Sequence, residues 1–167
     1  MALSSIYLGS RYNPGVDIVP AQLQQYPDRV CFRPAWEEGW RSHRPRVTVT
    51  PREWDLWLAV AADPMRITEE QFVYGSVSLA QPRVSASGRP RTAPRPGPGL
   101  IKIGSSTNPL LRGHRFGDIV LIERGGSGRE SELHRMFADL QEIQPPWVEG
   151  CTEWFRYEGA LRAYVDG

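Results

Sequence analysis

The chain has 167 residues, of which 40% are hydrophobic and 23% are charged, proportions typical of soluble globular proteins. Its formal net charge is +1, so the bulk charge neither favours nor excludes a nucleic-acid partner. It has no apolar run approaching the ~20 residues of a membrane-spanning helix and no secretory signal at residues 1–5, so we expect a cytoplasmic protein without a membrane partner.

Residues 1–67 are interpreted as an N-terminal α+β extension of unknown role. Two short stretches with β-branched residues, 29–32 and 46–50, predict strands. Four tryptophans in this part predict either a small apolar core or a surface for a protein partner. They are Trp36, Trp40, Trp54 and Trp57.

A helix is predicted to follow the second of these strands. Thr50 is placed to cap it, Pro51 takes the first helical position, and Glu53 completes a capping box. The helix is expected to end before Asp63-Pro64, because the residue before proline disfavours helical backbone.

The two cysteines of the chain are Cys31 and Cys151. Neither has a second cysteine or a histidine at metal-ligand spacing. We therefore expect two reduced thiols and no zinc site.

The second part, residues 68–167, begins with a predicted strand at 71–79. Residues 82–99 are then interpreted as a loop insertion, because Pro, Arg, Ser and Gly dominate them and little apolar surface is available for folding. The arginines of this insertion are predicted to contact DNA phosphates without reading sequence, the alternative being a solvated insertion without a role. They are Arg83, Arg89, Arg91 and Arg95.

Regular elements return after the insertion. The predicted order is a strand at 100–104, a helix from Asn108 to Gly117, a strand at 118–123, a turn at 125–128, a helix at 129–140, a strand at 153–156 and a terminal helix. Together with the strand at 71–79, this order predicts an α/β fold. We expect a small, mostly antiparallel sheet of three or four strands flanked by helices.

Three pieces of the second part carry a resemblance to a known family. They are Lys102-Ile103-Gly104 with Asn108 and Arg112, then Glu130 with Leu133-His134 and Phe137, then Glu153-Trp154-Phe155. In this order the chain from about residue 72 resembles the GIY-YIG nuclease superfamily, with its phage and meiotically up-regulated-gene branch the most similar. The resemblance implies a GIY-YIG-like fold and a metal-dependent endonuclease that hydrolyses phosphodiester bonds in DNA.

Glu130 is the predicted metal ligand. Leu133 and Phe137 follow it at helical spacing, so its side chain should lie on or beside the packed face of a helix. The resemblance makes it the ligand of Mg²⁺ or Mn²⁺, and one carboxylate can hold such a hard cation if phosphate and water supply further ligands. The alternative is a solvated first-turn acid that interacts favourably with the helix dipole.

Arg112 and Tyr74 are the other main members of the predicted site. The resemblance makes Arg112 the residue that grips the scissile phosphate, for which a planar guanidinium is well suited. It places the Tyr74 hydroxyl near the attacking water, although a tyrosine is a poor base until a nearby cation lowers its pKa. The alternatives are a surface arginine and a tyrosine that only packs in the sheet.

Lys102 stands where many family members have the tyrosine of their second motif, although the phage-like branch resembles this chain in having lysine. It is predicted to contact phosphate as a point charge. His134, four residues after Glu130, is predicted to orient that carboxylate or to contact phosphate, with a structural role as the alternative. Trp154 and Phe155 are expected in the core, and Glu153 is a further candidate for the rim of the site.

Two other functions follow from the same residues. Lys102, and the lack of any asparagine after Asn108, favour a catalytically impaired nucleic-acid-binding module of the same fold. A protein-interaction domain built around the tryptophans of residues 1–67 is a third possibility, which no motif supports.

Overall fold

The computed structural model describes residues 23–32, 47–64, 70–78 and 96–167. Within these ranges the chain is a mixed α/β protein with two antiparallel sheets and four α-helices, so the predicted fold class is confirmed. None of the helices described there is long and apolar enough to cross a membrane. Six residues named above lie outside the described ranges. They are Trp36, Trp40, Arg83, Arg89, Arg91 and Arg95.

The strands and helices alternate along the chain much as the sequence predicts. The strands are β1 (Gln24–Gln25), β2 (Val30–Phe32), β3 (Val47–Val49), β4 (Phe72–Ser78), β5 (Leu100–Ser106), β6 (Gly117–Arg124) and β7 (Trp154–Arg156). The helices are α1 (Pro51–Val60), α2 (Pro109–His114), α3 (Gly126–Met136) and α4 (Gly159–Asp166). The small sheet has the order β1-β2-β3, and the large sheet has the order β6-β4-β5-β7.

The register of the large sheet decides which side chains share a face. Tyr74 on β4 lies opposite Gly104 on β5 and Ile122 on β6. Because successive side chains of a strand point to opposite faces, Tyr74 and its neighbour Val73 are on different sides of the sheet. Helices α1 and α2 lie on the side of Tyr74, and α3 and α4 lie on the side of Val73.

The face that α3 and α4 cover is almost entirely apolar. Its buried side chains form one cluster between the sheet and the two helices. They are Val73, Ile101, Ile103, Leu121, Leu133, Phe137, Phe155 and Leu161. Phe155 is in this core as predicted, and Trp154 is buried on the other face, against Tyr74 and Phe116.

The small sheet and α1 share a core with the opposite face of the large sheet. Trp54 and Trp57 are buried there, so their predicted role in a core is confirmed. That core also contains Phe72, Ile119 and Ile122 of the large sheet, so these two tryptophans are not part of a separate core. Packing therefore continues across the sequence division near residue 67.

The start of α1 has the predicted capping box. Glu53 N–H donates to Thr50 Oγ1 (3.2 Å), and Thr50 N–H donates to Glu53 Oε2 (2.7 Å). The other carboxylate oxygen of the buried Glu53 accepts a hydrogen bond from Ile119 N–H on β6 (2.8 Å). One side chain therefore both begins the helix and attaches it to the large sheet.

The prediction of a turn at residues 125–128 is wrong. Gly125 has φ +107°, a left-handed conformation that suits glycine, and α3 begins immediately after it at Gly126. Since glycine is a poor helix former, the sequence did not reveal this start. Glu130 is consequently in the second turn of α3, so its interpretation as a first-turn acid on the helix dipole is also wrong.

Two predicted helix ends also differ from the structure. Helix α3 ends at Met136, which is exposed, and a short 3₁₀ turn continues from Ala138 to Leu140. Helix α2 ends at His114, and Gly117 begins β6.

Candidate active site

Tyr74 lies at the centre of a polar cluster on the α2 face of the large sheet. Its side chain is buried, and its ring is stacked with Phe116, with 6.3 Å between the ring centroids and an interplanar angle of 12°. The hydroxyl lies over Gly104: a Cβ atom at that position would be 2.8 Å from Tyr74 Oη and 3.1 Å from Lys102 Nζ. The missing side chain at Gly104 is therefore what lets the phenol and the lysine approach the same point of β5.

Burial is the main reason why the pKa of Tyr74 is raised well above its usual value. The charge and hydrogen bonding of Arg112 lower this pKa, whereas the carboxylates of Glu153 and Glu130 raise it. At neutral pH the hydroxyl is protonated, and its oxygen accepts a hydrogen bond from the Arg112 guanidinium. It would serve as a base only if a cation brought close to it lowered its pKa.

Arg112 reaches this cluster from α2. The helix begins as predicted, with Leu111 N–H donating to the Asn108 side chain (3.4 Å) and Pro109 in the first turn. The guanidinium is partly exposed, with its carbon 5.7 Å from the centroid of the Phe116 ring, and it forms an ion pair with Glu149 (Nη2 to Oε1, 2.6 Å). Arg112 is therefore placed beside the Tyr74 hydroxyl, with an acid already bound to it.

Lys102 is 2% exposed and lies in the same cluster. Its amine is 4.6 Å from the centroid of the Phe116 ring and forms an ion pair with Glu153. A buried lysine requires such a partner, because removing a charge from water is costly. The positive charge of Lys102, which was predicted to contact phosphate, is therefore already compensated by Glu153, the residue predicted at the rim of the site.

Gly150 makes the pair between Lys102 and Glu153 possible. Its φ of +66° is in the left-handed region, and a Cβ atom there would be 2.6 Å from Glu153 Oε2 and 2.7 Å from Lys102 Cε. The chain can therefore pass this close to the ion pair only with glycine at position 150.

Glu130 approaches from α3. Its side chain is 17% exposed, which agrees with the predicted position at the edge of the packed face, and its Oε2 accepts a hydrogen bond from the Ser105 hydroxyl. Its nearest ion-pair partner among the described residues would be His134, whose Nε2 is 4.0 Å from Oε1. This contact is at the limit of ion-pair distance.

His134 makes its closest polar contact with the backbone rather than with Glu130. Its Nε2 is 2.9 Å from the carbonyl oxygen of Ile103, so this nitrogen donates to β5. The ring packs against Phe155, with 5.0 Å between the centroids. These contacts support the structural role that was the alternative for this histidine.

The predicted residues form two groups on opposite faces of the sheet. Tyr74, Lys102 and Arg112 lie on the α2 face, whereas Glu130 and His134 extend from α3 on the other face. The groups approach each other at Gly104 and Ser105, beyond the last residues of β5 that pair with β7. The effect of Glu130 on the pKa of Tyr74 acts across this point and is weaker than the effects of Arg112 and Glu153.

The metal site implied by the resemblance would have Glu130 as its protein ligand. No group of three or more His, Cys, Asp and Glu side chains that could hold a metal occurs among the described residues. Glu130 fits a site in which a hard cation takes one carboxylate oxygen and completes its shell with water and phosphate, because its carboxylate is partly exposed and its contact with His134 is long.

Sequence reasoning missed four residues of this region. Ser105 binds Glu130, Phe116 packs under Tyr74, and Glu149 contacts both Arg112 and Arg115. The position of Ser105 immediately after Gly104 was a usable signal. The contacts of Glu149 were not foreseeable, because they join a helix to a loop far away in sequence.

No protein-family model, curated protein or solved structure matches this chain. The similarity to the GIY-YIG superfamily therefore rests on the residues and spacings quoted above.

Proposed function

We propose that this chain is a metal-dependent DNA endonuclease of the GIY-YIG type, which hydrolyses phosphodiester bonds. The main support is the buried Tyr74 hydroxyl over Gly104, whose pKa responds to Arg112 on one side and to Glu130 on the other. Near Gly104 and Ser105, an acid could hold a cation, a guanidinium could bind a phosphate and a phenol could orient a water, and phosphodiester hydrolysis needs these three roles.

In this proposal Arg112 binds the scissile phosphate. Its planar donors suit two phosphate oxygens, and its positive charge stabilises the negative charge that develops during hydrolysis. Tyr74, which is protonated at neutral pH, donates a hydrogen bond that orients the attacking water or a phosphate oxygen.

Glu130 is the proposed ligand for Mg²⁺ or Mn²⁺. When bound, the ion supplies positive charge for the phosphate and makes a coordinated water more acidic. Ser105 holds one carboxylate oxygen of Glu130 and so restrains the side chain at the edge of β5.

A second candidate function is a nucleic-acid-binding module that no longer cuts. It is favoured by the pairing of Lys102 and Arg112 with acids, and by the approach of Glu130 from the opposite face. Such a module would bind DNA through phosphates with or without a metal ion.

A plasmid-nicking assay with Mg²⁺ or Mn²⁺ tests the first proposal. Glu130→Gln and Arg112→Ala should each lower the nicking rate about 100-fold, the order of magnitude known for loss of one group that stabilises the transition state. Glu142→Gln is the matched control, because Glu142 is a partly exposed acid paired with Arg156 (3.4 Å). Equal nicking by all four proteins would reveal a contaminating nuclease and reject the site.

DNA binding in EDTA separates the two candidates. A protein that binds DNA but does not nick it with either metal would support the binding module and reject the endonuclease. Nicking that depends on both Glu130 and Arg112 would reject the binding module.

A further inference from the structure

Two arginines converge on a single carboxylate at the end of α2. Glu149 Oε1 lies 2.6 Å from Arg112 Nη2, and Glu149 Oε2 lies 3.0 Å from Arg115 Nη2. Each carboxylate oxygen thus has its own guanidinium. Two guanidiniums around one anion also form the arrangement that suits a phosphate group.

This three-residue contact is open to solvent. The side chains of Arg112, Arg115 and Glu149 are 42%, 45% and 38% exposed. Ion pairs at such exposure are weak, because water screens them and both side chains lose freedom. The glutamate is therefore held weakly enough for a multivalent anion to displace it.

The backbone around Glu149 is held in place. Its carbonyl accepts a hydrogen bond from Trp154 Nε1 (3.3 Å), the neighbouring Val148 is buried, and Val148 N–H donates to Pro145 O (2.9 Å). Release of the two arginines consequently requires rotation of one side chain and no movement of the loop.

We propose that Arg112 and Arg115 form a two-arginine site for a nucleic-acid phosphate, and that Glu149 occupies this site as an internal substitute until nucleic acid displaces it. This inference rests on the proposed function in taking Arg112 as a phosphate ligand. It adds Arg115 as a second ligand and gives Glu149 a regulatory role at the same place.

The tethered carboxylate favours a polyanion over a single phosphate. Because Glu149 is part of the chain, its effective concentration at the two arginines is high, and a lone phosphate competes poorly. A nucleic-acid strand presents phosphates in succession and binds through several at once, so it can displace the glutamate. Glu149 thus selects nucleic acid against small phosphate compounds.

Fluorescence anisotropy with labelled duplex DNA, in EDTA at fixed salt, tests the inference. Glu149→Gln, which keeps the shape and removes the charge, should bind about fivefold more tightly than wild type, a change in line with the loss of weak exposed pairs. Arg115→Ala should bind about fivefold more weakly and lower the slope of log K against log salt by about 0.9. Glu142→Gln is the control and should leave the affinity unchanged.

Each outcome decides one part of the inference. Unchanged affinity in Glu149→Gln would overturn the masking role, and unchanged affinity in Arg115→Ala would overturn the second ligand. Displacement of DNA by millimolar inorganic phosphate at constant ionic strength would overturn the assignment to nucleic acid in favour of free phosphate.

These measurements contain no metal and do not record cleavage. Tighter binding by Glu149→Gln, in a protein that never nicks plasmid, would support the inference while rejecting the endonuclease. Metal-dependent nicking, with unchanged DNA binding in both Glu149→Gln and Arg115→Ala, would support the endonuclease and reject the two-arginine site.

Discussion

The two faces of strands β4 and β5 carry different kinds of side chain, although their residues alternate along the same strands. Toward α3 and α4 the strands present Val73, Ile101 and Ile103, which are buried among other apolar side chains. Toward α2 they present Tyr74, Lys102 and serines, which are equally buried but each bound to a polar partner or beside one. Both faces belong to the same two strands. They differ because successive residues of a strand point to opposite sides and so contact different helices.

The polar face keeps its buried groups in fixed positions. Ser76 Oγ donates to Gly113 O (2.9 Å), Ser78 Oγ donates to Pro96 O (3.0 Å), and Lys102 is paired with Glu153. A buried polar group that loses its partner is costly, so these contacts hold the surrounding side chains firmly. We infer that the apolar face mainly supplies stability and the polar face supplies Tyr74, Lys102 and Arg112 of the site, whereas Glu130 reaches the site from α3 at the edge of the apolar face.

The largest expected effect on stability is on the apolar face. Leu161→Ala removes a fully buried side chain of α4 and should lower the free energy of unfolding by about 3 to 4 kcal/mol. Urea denaturation measures this, and Leu58→Ala, at an exposed leucine, is the control, with less than about 0.5 kcal/mol expected. Loss of DNA binding by Leu161→Ala while it is still folded would contradict the division between the faces.

The pair of Lys102 and Glu153 should respond unequally to loss of either member. Glu153→Gln leaves a buried ammonium without its acid and should cost about 2 kcal/mol, whereas Lys102→Met leaves a carboxylate that water can reach and should cost less than about 1 kcal/mol. A double variant should recover most of the loss, which a double-mutant cycle by urea denaturation would show. Equal costs for the two single variants would mean that Lys102 is solvated.

Gly104→Ala should affect the site more than the fold. The new Cβ atom would clash with Tyr74 Oη and Lys102 Nζ, so both groups must move, at a cost of about 1 kcal/mol in stability. Nicking should fall more than about tenfold, because the distance between reacting groups governs the rate.

Gly128→Ala is the control for that substitution. A Cβ atom at Gly128 would meet nothing within 4 Å, and alanine should stabilise α3 by up to about 1 kcal/mol without changing nicking. Normal nicking by Gly104→Ala would exclude Tyr74 and Lys102 from the chemistry.

The smallest expected effect on stability is that of Tyr74→Phe near neutral pH, less than about 1 kcal/mol, because the ring stays packed. At high pH the two proteins should diverge. Burial raises the pKa of Tyr74 in the folded state, so the unfolded chain releases its proton first. The stability advantage of wild type is therefore fully present below about pH 10 and declines by about 1.4 kcal/mol per pH unit above it.

Urea denaturation of Tyr74→Phe and wild type across this pH range measures the decline. The variant is the reference, which cancels the titration of the other tyrosines. A constant difference in unfolding free energy between the two proteins from pH 9 to pH 12 would show that the hydroxyl ionises equally in both states.

The sequence predicted most of the fold because the relevant signals are local. The capping box at Thr50 and Glu53, the cap at Asn108 and the periodic residues around Leu133 each lie within a few positions of the element they define. The start of α3 was missed because it depends on the backbone angle of Gly125, which composition does not reveal.

The site was harder to predict for a geometric reason. Which face a strand residue occupies depends on the register with its neighbours, so the separation of Glu130 from Tyr74 by the sheet could not be read from their spacing. Similarly, the contact of Glu149 with two arginines depends on how a loop returns to α2.

The contacts of Glu53 bear on whether residues 68–167 can fold without α1. Its carboxylate accepts from Ile119 on β6, and the tryptophans of α1 cover Phe72 and Ile122. A shortened chain that starts at residue 68 would leave the Ile119 amide without this acceptor and expose an apolar side of the sheet. Transfer of residues 68–167 to another protein, by recombination or by design, would therefore require α1 to be transferred with them.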